Sequence, residues 1–177
     1  DKHNEHATHM LQNFDAISLR EQINTILTLI DHNQFRYQET IVNIINEMDL
    51  QPNVVSIMLE YLRFGGYNQT IQIQKFGFNI EVVPAQLSGL EHTMFKTNII
   101  PQVINQIEDS APQMIEEALR LMNNHAILFY PLELERIALE PVWIEAYVNY
   151  FKSMLGLESL DMSNDVVEFI TNIDSIE

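Results

Sequence analysis

The amino-acid sequence predicts a mainly α-helical α+β protein, a helical bundle with one β-hairpin at about residues 70–83. Three observations carry this expectation. Apolar residues recur at helical spacing through most of the chain. The period drops to two only between Thr70 and Val83. Proline and glycine, six and five in 177 residues, mark several of the borders between these stretches.

The elements follow in order. Leu19, Ile23, Ile26, Leu27 and Ile30 share one helical face, and Ser18-Leu-Arg-Glu21 ahead of them has the spacing of a capping box. Tyr37, Ile41, Ile44, Ile45 and Met48 repeat the pattern after Asp31-His-Asn33. So short a break predicts that the two helices lie antiparallel as a helical hairpin. Pro52 opens a third helix with Val55, Met58, Leu59 and Leu62 on one side and Val54, Ile57 and Tyr61 on another. A helix apolar on two sides belongs at the centre of a core, and Gly65-Gly66 ends it.

In Thr70–Val83 the phase of the alternation matters more than the alternation. Ile71 and Ile73 are odd, whereas Phe78, Ile80 and Val82 are even. A two-residue turn at Phe76-Gly77 reconciles them by pairing Ile73 with Ile80 and Ile71 with Val82. Gln72, Gln74, Asn79 and Glu81 then take the wet face.

Residues 84–97 read as a connector. Ile100, Val103, Ile104 and Ile107 form a helical face with Pro101 in the first turn. Ser110-Ala-Pro-Gln113 resembles a second capping box, ahead of a helix burying Ile115, Ala118, Leu119 and Met122. Ala126–Tyr130 is either a short buried strand or that helix's tail. Pro131 and Pro141 bracket an amphipathic piece in which a helix would put Glu133, Arg136 and Glu140 on one face. A further helix after Pro141 buries Ile144, Tyr147, Val148, Phe151 and Leu155. Asp165-Val-Val-Glu168 caps a last one with Val166, Phe169, Ile170 and Ile173 inside. One hint of duplication links Ile44-Ile-Asn-Glu-Met-Asp before Pro52 with Val103-Ile-Asn-Gln-Ile-Glu before Pro112.

Residues 1–9 are histidine-rich and lack apolar periodicity. They are expected to be a disordered expression-tag remnant, the alternative being a copper or nickel site on the Asp1 amine with His3, His6 and His9. Residues 10–177 are then one globular domain, with a division into 10–83 and 98–177 also weighed.

Composition narrows function by exclusion. The chain has 25 acidic and 9 basic side chains and no cysteine, which removes disulfides, thiolate metal sites and cysteine nucleophiles. A formal charge of −16 argues against direct binding of nucleic acid or anionic lipid, and no apolar run approaches the ~18 residues of a membrane span. Cytoplasmic localisation is expected. There is no Walker loop, G-x-G-x-x-G, nucleophile elbow, H-E-x-x-H or Glu-x-x-His, so no cofactor or metal is assigned. His32, His92 and His125 are isolated in sequence. Glu116 and Arg120 have the spacing of a routine helix pair.

Charge is unevenly distributed. Residues 10–100 hold 9 acids and 5 bases, and residues 101–177 hold 14 and 3. The expected function is a non-enzymatic, acidic protein-binding module that neutralises or escorts a basic protein. Inhibitor, immunity-type, chaperone and nucleic-acid-mimic roles all fit this description. Its candidate contact residues are Glu116, Glu117, Glu133, Glu135, Glu140 and Trp143, the only tryptophan. The alternatives are an enzyme with a site assembled from scattered Glu, His and Tyr residues, and a bundle holding an apolar ligand.

Overall fold

A computed structural model describes residues 2–176. The protein is mainly helical, with one two-stranded antiparallel sheet among the described residues. It divides into two compact units, Asp1–Gly89 and Leu90–Glu177.

The first unit is built around one central helix. Its helices are α1 (Lys2–Gln12), α2 (Leu19–Asp31), α3 (Gln38–Glu47) and α4 (Pro52–Phe64), followed by strands β1 (Ile71–Lys75) and β2 (Phe78–Val82). The Ser18 capping box forms as expected: Ser18 Oγ accepts from Glu21 N at 3.2 Å, and Glu21 Oε1 accepts from Ser18 N at 3.4 Å. α4 buries Val54, Val55, Met58, Leu59, Tyr61 and Leu62, apolar on two sides as its sequence required. That width changes the pairing of its neighbours. The expected hairpin of α2 with α3 is not the main packing; α2 and α3 each pack on α4. The rotation of α2 also differs, since Leu29 is buried with Ile26 while Leu27 is exposed.

The sheet has the predicted register: Ile73 opposite Ile80, Ile71 opposite Val82 and Gln72 opposite Glu81. Phe76 and Gly77 both take positive φ, 52° and 83°, as a two-residue turn matched to strand twist requires. Ile71, Ile73 and Ile80 face the core.

Residues 2–9, expected to be disordered, are helical as the start of α1. The helix leads into Leu11 and Phe14, which are buried. The Asp1–His3 metal-ligand expectation lies outside the described residues.

The second unit opens with a 3-10 turn (Leu90–His92) and a π-helical turn (Phe95–Ile99) that runs into α5 (Ile100–Ile107), then α6 (Ile115–Phe129), α7 (Glu140–Met154) and α8 (Asp165–Asp174). The π turn within the connector had no sequence signal in the apolar spacing. Ala126–Phe129 is the tail of α6, which settles the strand-or-helix ambiguity. The predicted Ser110 cap is not made. Pro112–Met114 forms a 3-10 turn and Met114 precedes α6 with no side-chain cap. Leu119, expected inside, is exposed, and Leu121 is buried instead. α8 is capped one residue earlier than expected, by Asn164, whose Oδ1 accepts from Val166 N at 2.9 Å. α3–α4 and α5–α6 are both packed helix pairs, but only the first is followed by strands.

The second unit's core is aromatic. Phe95, Phe129, Trp143, Tyr147 and Phe151 are buried, with Phe169 half-buried. Phe95 meets Phe129 edge-on at 5.3 Å between centroids, and Phe129 meets Trp143 at 5.6 Å, the separations aromatic pairs prefer.

Candidate partner-binding surface

The connection from α6 to α7 presents the most concentrated set of predicted contact residues. Leu132 and Leu134 are buried and alternate with Glu133 and Glu135, which are exposed. Only Leu134–Arg136 is helical, as a 3-10 turn, so the continuous helix that would put Glu133, Arg136 and Glu140 on one face does not form. Leu139 then projects 66% exposed, the most exposed of the large apolar side chains. Glu140 opens α7 at its positive end, where a carboxylate is favoured, and accepts from Gln102 Nε2 at 3.3 Å.

Beside this connection lies a groove of about 550 Å³ between α5 and α7, lined by Gln102, Gln106, Glu140, Pro141, Ile144 and Glu145. The segment therefore carries two exposed apolar side chains, Leu139 and Val142, in one stretch of chain with exposed Glu133, Glu135 and Glu145, and Glu140 and Glu145 line the groove.

Trp143 does not belong to that surface. It is fully buried, and its Nε1 donates to Leu134 O at 3.0 Å. A large ring with one polar handle is satisfied this way inside a core. Its part is positional: from beneath, it fixes the segment that carries Glu133 and Glu135. Glu116 and Glu117 lie in the first turn of α6 and are not among the groove's lining residues. The expected Glu116–Arg120 pair is replaced by Glu117–Arg120, with Arg120 Nε donating to Glu117 Oε2 at 3.1 Å. That guanidinium holds the Glu117 carboxyl below its usual range.

Two buried polar clusters escaped the sequence reading. In the second unit, His125 Nδ1 is 2.8 Å from Tyr147 Oη, and His125 Nε2 is 3.0 Å from Asp174 Oδ1. Tyr150 donates to Asp174 Oδ2 at 2.7 Å. Burial first, and the Asp174 charge second, push the Tyr147 phenol well up, and Tyr150 shifts the same way. His, Tyr and Asp are thus assembled from scattered positions, with His125 1% exposed. In the first unit, Lys75 is also 1% exposed. Its Nζ donates to Pro52 O at 2.7 Å and also bonds Ser56 Oγ. Desolvation pulls its pKa well below the ordinary value. The alternation did carry a signal here, because position 75 continues the inward series of Ile71 and Ile73.

Among the described residues, no group of three or more His, Asp or Glu is placed to hold a metal ion, and no helix is long and apolar enough to cross a membrane. No family model matches the chain, and no solved structure matches it. The TPR repeat-containing protein YsoA of Bacillus subtilis (strain 168) is 20% identical over 141 residues, which cover 80% of this chain. The chain spans 42% of that protein's length.

Proposed function

We propose that the protein is a helical protein-interaction module whose second unit neutralises or escorts a basic partner through residues 133–145. The observation that carries this reading is one short stretch that exposes Leu139 and Val142 together with Glu133, Glu135 and Glu145, and whose Glu140 and Glu145 line a groove. Apolar anchors supply affinity at an interface, and a surrounding field of one sign steers encounter and excludes wrong partners. The field is strong: residues 90–177 hold 15 acids and 4 bases, and residues 1–89 hold 10 and 5. The similarity to a TPR repeat-containing protein supports the coarser part of the reading, because stacked helix pairs commonly act by offering binding surfaces.

The test is capture on the immobilised protein at low and high salt, followed by kinetics on the captured species. Glu133→Gln, Glu135→Gln and Glu140→Gln together should slow its association about tenfold at low salt, while Glu47→Gln, Asp49→Asn and Glu81→Gln should change it little. Exposed charges screen within about 8 Å at ~0.15 M salt, so the difference should shrink as salt rises. Equal effects from both triple variants, or an association rate indifferent to salt, would rule the reading out.

A further inference from the structure

We infer that the loop joining α7 to α8 is a second docking surface, one that receives an amphipathic segment carrying apolar side chains flanked by Lys or Arg. This surface is separate from residues 133–145 and does not rest on the function proposed for them.

The first observation is exposure. Met154, Leu157, Leu160 and Met162 are 46%, 54%, 36% and 48% exposed. Four large apolar side chains in nine residues is a density that ordinary surfaces avoid. The second is that the loop is fixed. α7 ends in a Schellman arrangement: Gly156 has φ of 71°, its N donates to Ser153 O at 3.0 Å, and Leu157 N donates to Lys152 O at 3.0 Å. In that motif the residue at the Leu157 position usually packs back on an apolar side chain one turn earlier. Here the two facing positions are Lys152 and the fully buried Phe151, and Leu157 stays more than half exposed.

Asn149 holds the rest. Its Nδ2 donates to Glu158 Oε1 at 2.8 Å and to Ser159 O at 2.9 Å, and its Oδ1 accepts from Asp161 N at 2.9 Å. A single half-buried amide therefore orders the loop in a conformation that leaves leucines and methionines exposed. Pre-ordering of this kind lowers the entropic cost of binding, and methionine adapts its shape to whatever it meets.

Charge states what the occupant must be. From Lys152 to Glu168 the chain carries Glu158, Asp161, Asp165 and Glu168, all exposed, against the single base Lys152. An acidic rim repels an anionic lipid surface and a second acidic copy of this chain. It attracts a helix with Leu on one face and Lys or Arg beside it.

The probe is a short fluorescent peptide of Leu and Lys with leucines at i, i+3, i+4 and i+7, read by anisotropy at about 0.15 M salt. The full chain should bind it. Leu157→Ser, Leu160→Ser and Met162→Ser together should weaken binding at least about tenfold with every charge retained. Leu157→Ser alone should weaken it severalfold, which keeps the test decisive if the triple variant is unstable. Asn149→Ala, which removes no contact group, should also weaken binding by unpinning the loop. The Glu133, Glu135 and Glu140 to Gln variant should bind within about twofold of the parent. The inference is overturned if the loop variants bind as tightly as the parent. A peptide of identical composition with its leucines spread around the helix binding equally well would overturn it too. Concentration-dependent self-association lost in the loop variants would give the surface to a second copy of the chain and overturn the inferred occupant.

Discussion

The first unit packs largely aliphatic side chains around α4 and encloses an amine, whereas the second packs aromatic rings around α7 and encloses an imidazole. The enclosed groups are satisfied differently. Lys75 bonds a carbonyl and a hydroxyl, Pro52 O and Ser56 Oγ, and desolvation dominates its titration. Nearby, Asn53 Oδ1 is buried with no hydrogen-bond donor. His125 instead sits between a phenol and a carboxylate, and Asp174 spends its second oxygen on Tyr150. The imidazole network joins α6, α7 and α8 through side chains, while the amine ties the end of β1 to the start of α4. One unit thus carries a buried basic group at a cost. The other uses its buried polar groups to tie three helices together.

The sharpest way to separate the units is to injure one. Ile73→Asp puts a carboxylate on the buried face of the hairpin and should destabilise the first unit by several kcal/mol, since burying a polar group without partners costs roughly 2–7 kcal/mol and a charge more. Gln72→Asp, one residue away on the wet face, should fall within about 0.5 kcal/mol. Hydrogen exchange in α4 and β1 should rise strongly for the first variant only. A matching loss of protection throughout α6 and α7 would mean that the comparison fails, because the two units would then unfold together.

That hairpin is also where the sequence was most legible. A two-residue period with one phase change admits few registers, and Phe76-Gly77 supplies the turn. Ser18 and Glu21 were equally readable because a capping box is local. What escaped depends on who packs against whom. The pairing of α2 with α4 follows from α4 being apolar on two sides, and loop length gives no sign of it. Trp143 looked like a surface anchor because acids flank it in sequence, yet helical rotation turns it inward with Tyr147. In the candidate surface, Glu133, Glu135 and Glu140 are candidates from the uneven charge distribution alone; the fold adds that Glu133 and Glu135 are exposed and that Glu140 accepts from Gln102. Leu139 was missed because single exposed leucines are ordinary, and only the fold shows the groove beside it. His125 and Asp174 are 49 residues apart, so no local pattern could join them.

The second unit has its own probe, because Trp143 is the protein's sole tryptophan. Asp174→Ala should remove the carboxylate that His125 Nε2 and Tyr150 Oη share and destabilise this unit by about 1–3 kcal/mol. The shift should be read by Trp143 fluorescence in urea, with protection in the first unit unchanged. A loss below the measurement error would mean that the network is ornamental and that ring packing alone holds the helices.

Lys75→Met tests the cost assigned to the first unit. An apolar side chain of similar length should raise stability by about 1 kcal/mol near neutral pH, at the low end of gains from replacing buried ionic groups. The pH dependence is the firmer readout. A lysine whose native pKa is depressed binds its proton less readily folded than unfolded, so stability is full above the unfolded value near 10.5 and is lost as pH falls towards the native one. Lys75→Met should flatten that slope in the amides of α4 and β1. A slope unchanged by the substitution would assign it to other groups.

The smallest effect concerns the start of α1. The side chains described from Lys2 to His9 are exposed apart from half-buried Ala7, whereas the buried anchors of this region, Leu11 and Phe14, come later. Helices this short are marginal unless one face is covered. What residues 2–9 cover is one wall of a groove of about 300 Å³, where His6, Ala7 and Met10 face Thr25, Thr28 and Leu29 of α2. Deleting residues 1–9 keeps Met10, Leu11 and Phe14, and removes little apolar contact. The melting temperature should therefore fall by no more than about 2 °C, the shift expected for roughly 0.5 kcal/mol in a protein of this size. Protection in α2 should drop slightly and that in α6 not at all. A fall of several degrees would show that the groove wall is part of the first unit's packing, and α1 would join α4 as an element on which that unit depends.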